Sequence, residues 1–339
     1  MTRRFPIPRY PTGWFQIAWS HELEPGAVKP IVSFGKDLVL FRTEEGQASV
    51  LDAHCPHLGA HLGYGGAVEG NGIVCPFHAW KFDGQGECVD IPYAKKIPRK
   101  AEMDCWPVAE HSGIIMVWHD IDKNPPSWEV PEAPEFMSDE WSEPHYRQWK
   151  FRTHNQEMAE NIVDSAHFKY LHGTVNYPDS KISEDGPIFY MDSPTTMTTP
   201  GGEVEGRVQA ISHGFGFSTN RFTGLVETLV MGNVTPRDDE FVDVRFSFTV
   251  RKVGGADVTK GVGKAFVAEI SRQLEQDRPV WENKIFFERP VLCDGDGPFM
   301  ALRKWGRQFF PEWYREQSRA EYFNGLESGA EVREPKGAE

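Results

Sequence analysis

Cys55-Pro56-His57 and, after 17 intervening residues (58–74), Cys75-Pro76-Phe77-His78 decide how this chain is read. Each loop offers one thiol and one imidazole, ligands that suit zinc or the iron of a sulfide cluster. Structural zinc more often draws its pairs as Cys-x2-Cys and His-x3-His. The mixed spacing here suits a [2Fe-2S] cluster with both cysteines on one iron and both histidines on the other, the neutral imidazoles raising its potential. Pro56, Gly59, Gly63, Gly65, Gly66 and Pro76 supply tight turns that let backbone amides approach the sulfurs. Trp80, two residues after His78, is placed to shield the cluster from water.

Outward from these loops, Gly13 to His119 is a series of short apolar runs broken by Gly, Pro and Asn, the pattern of a small antiparallel β domain. Asp120 to Pro134 is rich in Pro, Asp and Glu and can continue neither a sheet nor a helix, so it reads as a linker. A chain of 339 residues has room for two domains of roughly 100 to 200 residues each. We place a cluster domain at 13–120, a linker and the start of the second domain at 121–150, the second domain at 151–325 and a flexible tail at 326–339. The formal net charge of -14 argues against nucleic acid or an anionic membrane surface as a partner. The longest apolar run, Gly113 to Trp118, is the size of a strand and far short of the roughly 20 residues needed to span a bilayer. Arg3 and Arg4 resemble a twin-arginine signal, but Pro6, Pro8 and Pro11 follow where an apolar helix is required. Five cysteines, an odd and sparse set, suit a reducing compartment, and the expectation is a cytoplasmic protein.

Asn155 to Leu171 has few breakers, and Met158, Ile162, Val163 and Ala166 recur at helical steps, which predicts one helix ended by Gly173. Segments around Ile188 to Met191, Val204 to Ile211, Gly224 to Val230 and Phe241 to Val250 predict a larger sheet. Two further helical regions are expected, Lys264 to Phe287 interrupted by Pro279, and Pro298 to Phe310. Asp164 and His167 are three residues apart and share a helix face, with His172 just beyond the helix end. Two histidines and a carboxylate form the facial triad of non-haem Fe(II) oxygenases, which leaves positions open for O2 and substrate. A carboxylate one turn before a ligand histidine can also accept that ligand's outer N–H.

On Cys55, His57, Cys75 and His78, matched residue by residue, the first domain resembles the Rieske domain of Rieske-type oxygenases. High-potential respiratory Rieske proteins carry a further cysteine pair beside the cluster; Ala60 and Phe77 stand in that neighbourhood here, which fits the oxygenase branch. Asn161-x2-Asp164-x2-His167-x4-His172 is similar to the family's mononuclear-iron motif. The resemblance implies that His167 and His172 are ligands and Asp164 is not, and that the third ligand comes from far downstream. Gln276-Asp277, followed by Trp281, is similar to the family's pattern and makes Asp277 that ligand; Asp294 and Asp296 are the alternatives, although they read as a turn. For Asp164 the resemblance implies a link from His167 to a cluster histidine, His78, of the neighbouring subunit in a head-to-tail homotrimer. Asn161 would face the iron without binding it. The implied fold is α+β, an all-β Rieske [2Fe-2S] domain plus a helix-grip-like catalytic domain in which helices flank a large antiparallel sheet.

The resemblance runs from Gly13-Trp14-Phe15 to Phe310. Its segments Pro290 to Pro298 and Leu302 to Trp305 are similar to the oxygenase component of 3-ketosteroid 9α-hydroxylase and related sterol-type mono-oxygenases. It implies a terminal oxygenase with one [2Fe-2S] cluster and one mononuclear Fe(II) per subunit and O2 as co-substrate, hydroxylating a hydrophobic, steroid-like substrate. The chain shows no GxGxxG fingerprint and no P-loop, so NAD(P)H would act through a separate ferredoxin or flavin/iron–sulfur reductase. Oxidative demethylation and aromatic-ring dihydroxylation stand as alternatives. An electron-transfer or redox-sensing Rieske protein without catalysis is the reading from another class. Phe189, Tyr190, Phe215, Phe217, Phe222 and Met231 are candidates to line an apolar pocket, and Lys95-Lys96-Ile97-Pro98-Arg99-Lys100 is either a solvated loop or a guide for an acidic redox partner.

Overall fold

The computed structural model describes residues 4–173, 180–199 and 202–316. Arg3, the end of the 151–325 segment and the tail expected at 326–339 lie outside the described residues.

Short strands build the N-terminal region: β1 (Gly13–Trp19), β2 (Val28–Ser33), β3 (Lys36–Arg42), β4 (Ala48–Asp52), β5 (Ala67–Glu69), β6 (Gly72–Val74), β7 (Lys81–Asp83), β8 (Cys88–Asp90), β9 (Cys105–Trp106), β10 (Val108–His111) and β11 (Ile114–His119). They form small sheets in the orders β1-β11-β10, β2-β3-β4-β9 and β5-β6-β7-β8. The uninterrupted apolar run of β11 follows from its position, because both of its faces are buried. Ile115 and Val117 enter the core of this domain, together with Phe15 and Ile17 of β1. Ile114, Met116 and Trp118 face the other way and pack, with Trp14 and Trp19, on Phe217, Leu229 and Met231 of the second domain. A strand covered on both sides has no polar face to alternate with. Hydrogen bonds tie the same seam: Trp19 Nε1 donates to Ser247 Oγ at 2.9 Å and Thr235 Oγ1 to the Gln16 carbonyl at 2.6 Å.

The second domain is a seven-stranded antiparallel sheet. Its strands are β12 (His145–Phe151), β13 (Lys181–Asp185), β14 (Ile188–Thr199), β15 (Gly202–His213), β16 (Phe217–Thr223), β17 (Thr228–Pro236) and β18 (Val242–Val250), ordered β12-β18-β17-β16-β15-β14-β13. Strands occupy Phe217–Thr223 and Thr228–Pro236, so the segment expected at Gly224 to Val230 is mostly the turn between them. Leu225 and Val226 extended the apolar run backwards from Thr228–Val230, the start of β17, into the turn.

The helix expected over Asn155 to Leu171 is two short ones, α1 (Asn155–Glu160) and α2 (Ser165–Tyr170). Asp164 is the N-cap of α2, its carboxylate accepting from the His167 backbone N–H at 3.2 Å. A cap starts a helix rather than continuing one. Gly297 holds the break from outside, because a Cβ there would lie 1.6 Å from the Val163 carbonyl oxygen. α3 (Ala256–Asn283) begins earlier than expected and runs through Pro279 as one helix of 28 residues, about 42 Å at 1.5 Å per residue. Pro279 falls near its C-terminal end, where few bonds remain to be lost, and Asn283 Nδ2 donates back to the Pro279 carbonyl at 2.8 Å. The last expected helix is α4 (Phe299–Gly306), extended by a 3-10 turn at Arg307–Phe309.

α3 packs across the sheet, Leu274 and Trp281 meeting Phe151, Val242 and Val244, and Val267 meeting Val230 and Phe248. α4 secures α1 through a buried pair in which Arg303 Nε and Nη2 donate to Glu160 at 2.7 and 3.0 Å. The sheet, α1, α2 and α3 enclose a cavity of about 870 Å³.

Candidate metal centres

The two cysteine–histidine loops are built alike. In one, the Cys55 N–H donates to the Ala60 carbonyl at 2.8 Å and the Gly59 N–H to the Cys55 carbonyl at 2.9 Å; in the other, Cys75 pairs with Trp80 and Ala79 with Cys75 at 2.8 and 3.1 Å. Gly59 and Ala79, each four residues after its cysteine, take positive φ, 77° and 57°. Ala79 shows that the loop geometry outweighs the strain of a left-handed non-glycine residue. Cys55 and Cys75 are buried side by side, and the imidazoles of His57 and His78 stand at a centroid separation of 4.7 Å. Burial first, and the nearby Cys75 and Cys88 thiols after it, push the Cys55 thiol up to about 11 against a hydrogen bond from the His57 backbone. A thiolate at such a place requires bound metal. Trp80 stacks on His57 at 4.6 Å and 7°.

A tetrahedral zinc ion would draw its donor atoms to within about 4 Å of one another. The loops do not converge in that way. Among the described residues, the group of His, Cys, Asp or Glu that gathers ligand atoms within 4.8 Å is His167, His172 and Asp277.

His167 projects from α2, His172 from the turn after it, and Asp277 from α3, more than a hundred residues on. His172 Nε2 lies 3.3 Å from Asp277 Oδ1, and Asn161 Nδ2 donates to Asp277 Oδ2 at 3.3 Å. Each imidazole has its Nδ1 engaged, which turns Nε2 toward the shared space. The His167 Nδ1–H donates to the Asp164 backbone carbonyl at 2.5 Å, while the Asp164 carboxylate stands 3.6 Å away. The carbonyl of Asp164 is the nearer acceptor, and its carboxylate lies within ion-pair distance of the same nitrogen. The His172 Nδ1–H donates to Gln276 Oε1 at 3.0 Å, and Arg272 Nη1 donates to that oxygen at 2.7 Å. Gln276 as an orienting residue escaped the sequence reading; its place next to Asp277 was the available signal. Burial pulls the His172 pKa down, but hydrogen bonds with Asp277 and Gln276 more than offset it and leave the imidazole above its ordinary value. Burial alone would raise Asp164; its hydrogen bond with His167 holds it below the ordinary carboxylate range. Asp294 and Asp296 are outside the three-residue group, and Asp296 Oδ2 accepts from the Cys293 backbone N–H at 2.8 Å in a turn.

The triad opens on the cavity, whose wall includes Met158, Ile162, Phe168, Val208, Phe222, Val230, Leu274 and Trp281. Of the aromatic candidates, Phe215, Phe217 and Phe222 line it. Phe189 packs on Trp305 in the core, and Met231 points to the domain seam because Val230 and Gly232, its neighbours on β17, face the cavity. Tyr190 is not among the lining residues.

Residues 13–107 match the Rieske [2Fe-2S] domain, and residues 117–310 match the 3-ketosteroid 9alpha-hydroxylase C-terminal domain. The chain belongs to the Rieske oxygenases. It is 31% identical over 322 residues to the oxygenase component of a 3-ketosteroid-9-alpha-monooxygenase of Rhodococcus rhodochrous, covering 89% of this chain and 82% of that one. It is also 31% identical over 332 residues to a cholesterol 7-desaturase of Xenopus laevis, covering 89% and 72%. A crystal structure of dicamba monooxygenase bound to 3,6-dichlorosalicylic acid superposes with a TM-score of 0.70 over 91% of this chain and 98% of that one, at 17% identity, a likeness of fold. This Rieske oxygenase component is thus an α+β oxidoreductase of the kind that acts with incorporation of O2, with a domain built for an iron–sulfur cluster. No helix among its described residues is long and apolar enough to cross a membrane.

Proposed function

We propose that this Rieske oxygenase component is the terminal oxygenase of a multi-protein system and hydroxylates a hydrophobic, steroid-like substrate. Cys55, His57, Cys75 and His78 hold the [2Fe-2S] cluster, and His167, His172 and Asp277 hold a mononuclear Fe(II). The iron supplies O2 activation once reduced. The chain's own residues do the rest: Gln276 and the Asp164 carbonyl keep both imidazoles presenting Nε2, Asn161 steadies Asp277, and the cavity wall binds the substrate and excludes water. Electrons come from NAD(P)H through a separate ferredoxin or flavin/iron–sulfur reductase.

The observation that carries this reading is the convergence of His167, His172 and Asp277 on the wall of a cavity of about 870 Å³, large within the range for small-molecule sites and mostly apolar. The substrate class rests on that cavity and on the two sterol-acting relatives. Because one relative is a desaturase, removal of hydrogen across a ring bond is the second reading for the same site. A homotrimer in which Asp164 connects His167 to His78 of a neighbouring copy is supported by the partly exposed Asp164 carboxylate and by the exposed apolar side chains Leu58, Tyr64 and Phe77 around the cluster loops.

Iron quantification tests the centre. The native protein should hold the two cluster irons plus one, and His167→Ala should hold the two cluster irons with its visible spectrum intact. Two irons in both proteins would reject the triad. Product analysis with labelled O2 on a sterol panel separates hydroxylation from desaturation.

A further inference from the structure

The geometry points to residues 93–100 as the docking surface for an acidic electron-carrier protein, with Tyr93 at its centre. This rests on the reading of Cys55, His57, Cys75 and His78 as cluster ligands. From His57 a short path leads outward. The His57 ring lies nearly parallel to Trp80, and Trp80 Nε1 donates to the Tyr93 hydroxyl at 2.8 Å. Trp80 is buried, while Tyr93 is 63% exposed. Two contacts thus connect a cluster ligand with solvent through aromatic side chains.

The surface at the end of that path has the composition of an interface. Tyr93 and Ile97 are exposed apolar groups. Lys95, Lys96, Arg99 and Lys100 surround them, all exposed, and among the described residues none of the four makes an ion pair. Cations elsewhere on the first domain include paired ones, as Lys29 is with Glu22 and Arg42 with Glu110. Four unpaired cations in six residues, in a chain of net charge -14, make a local field of opposite sign to the rest of the molecule. An apolar centre with a charged rim provides contact area and steering together. The occupant this fits is a protein with a carboxylate-rich face around its redox centre. One electron leaves the carrier's reduced centre and enters the cluster; the carrier is oxidised by one electron, the cluster is reduced by one, and no bond or proton moves.

The test follows bleaching of the cluster by stopped flow, with an acidic plant-type [2Fe-2S] ferredoxin, chemically reduced beforehand, as the donor at increasing ionic strength. Its potential lies below that of a Rieske centre, so transfer is downhill. For the wild-type holoprotein the second-order rate should fall steeply with salt. In Lys95→Glu/Lys96→Glu the low-salt rate should drop at least about tenfold, the lower bound for lost steering, and the salt slope should flatten or reverse. Tyr93→Leu should keep the slope and lower the rate; an unchanged rate would remove Tyr93 from the path. Photoreduced 5-deazariboflavin, small and uncharged, should bleach all three proteins equally. Equal ferredoxin rates and slopes in wild type and the double variant would overturn the proposal. So would a changed oligomeric mass of the double variant with unchanged reduction, which would assign the loop to contact between copies. Absence of Rieske bands in the wild type would instead reject the cluster assignment itself.

Discussion

Gln276→Leu isolates what the orienting hydrogen bond to His172 contributes. In the native site one oxygen, Gln276 Oε1, accepts from His172 Nδ1 at 3.0 Å and from Arg272 Nη1 at 2.7 Å. Leucine keeps the bulk and removes the acceptor. The imidazole is then free to rotate, or to place its proton on Nε2, the atom that must face Asp277. Loss of such an outer partner weakens metal binding by about 10- to 100-fold, which is about 1.4 to 2.7 kcal/mol. Arg272 is exposed, so Arg272→Ala, which leaves the acceptor in place, should weaken binding by less than about fivefold. Gln276→Glu retains an acceptor and should keep the affinity. The assay is anaerobic calorimetric titration of Fe(II) into protein stripped of its labile iron, with the melting temperature followed in parallel to separate local from global loss. Wild-type affinity in Gln276→Leu, or a loss in Gln276→Glu as large as in the leucine variant, would refute the argument.

Other parts of the frame give separate outcomes. Gly297→Ala forces a methyl to within 1.6 Å of the Val163 carbonyl, so the turn before Asp164 must move; thermal denaturation should show a loss of about 1 to 3 kcal/mol, accompanied by lower iron occupancy. Arg303→Met strands the buried Glu160 carboxylate and should cost about 3 to 5 kcal/mol by urea unfolding, with part of it recovered in Glu160→Gln/Arg303→Met. Burial holds His213 at about 4, below its ordinary 6.5. The folded state therefore keeps it neutral while the unfolded chain protonates, so stability is whole above pH 6.5 and declines toward pH 4 by at most about 3 kcal/mol. His213→Asn should lose less stability than wild type between pH 6.5 and 4.5; equal losses would show that His213 is not responsible.

The two cysteine–histidine loops were legible as a pattern because what marks them is local: a thiol and an imidazole two or three positions apart, prolines and glycines at the turns, and a tryptophan two positions on. His167 and His172 were readable for the same reason, since five residues of chain already bring them to one side of α2. The two-helix break was partly visible too, as Asp164-Ser165 is a capping pair, but helical spacing on both sides of it concealed the interruption. What closes the break is Gly297, over 130 residues away, and no local pattern carries that contact. Asp277 could be nominated from its motif, whereas spacing could not place it, because a carboxylate on another helix meets His172 only through the packing of α3 on the sheet. The same holds for Gln276, whose partner is set by which face of α3 meets the turn after α2, and for Val230 and Met231, adjacent residues sent to the cavity and to the domain seam by strand register. Short-range geometry is written in residue spacing, whereas convergence of distant segments depends on sheet order, register and the fit of one surface on another, which exist only once the chain has folded.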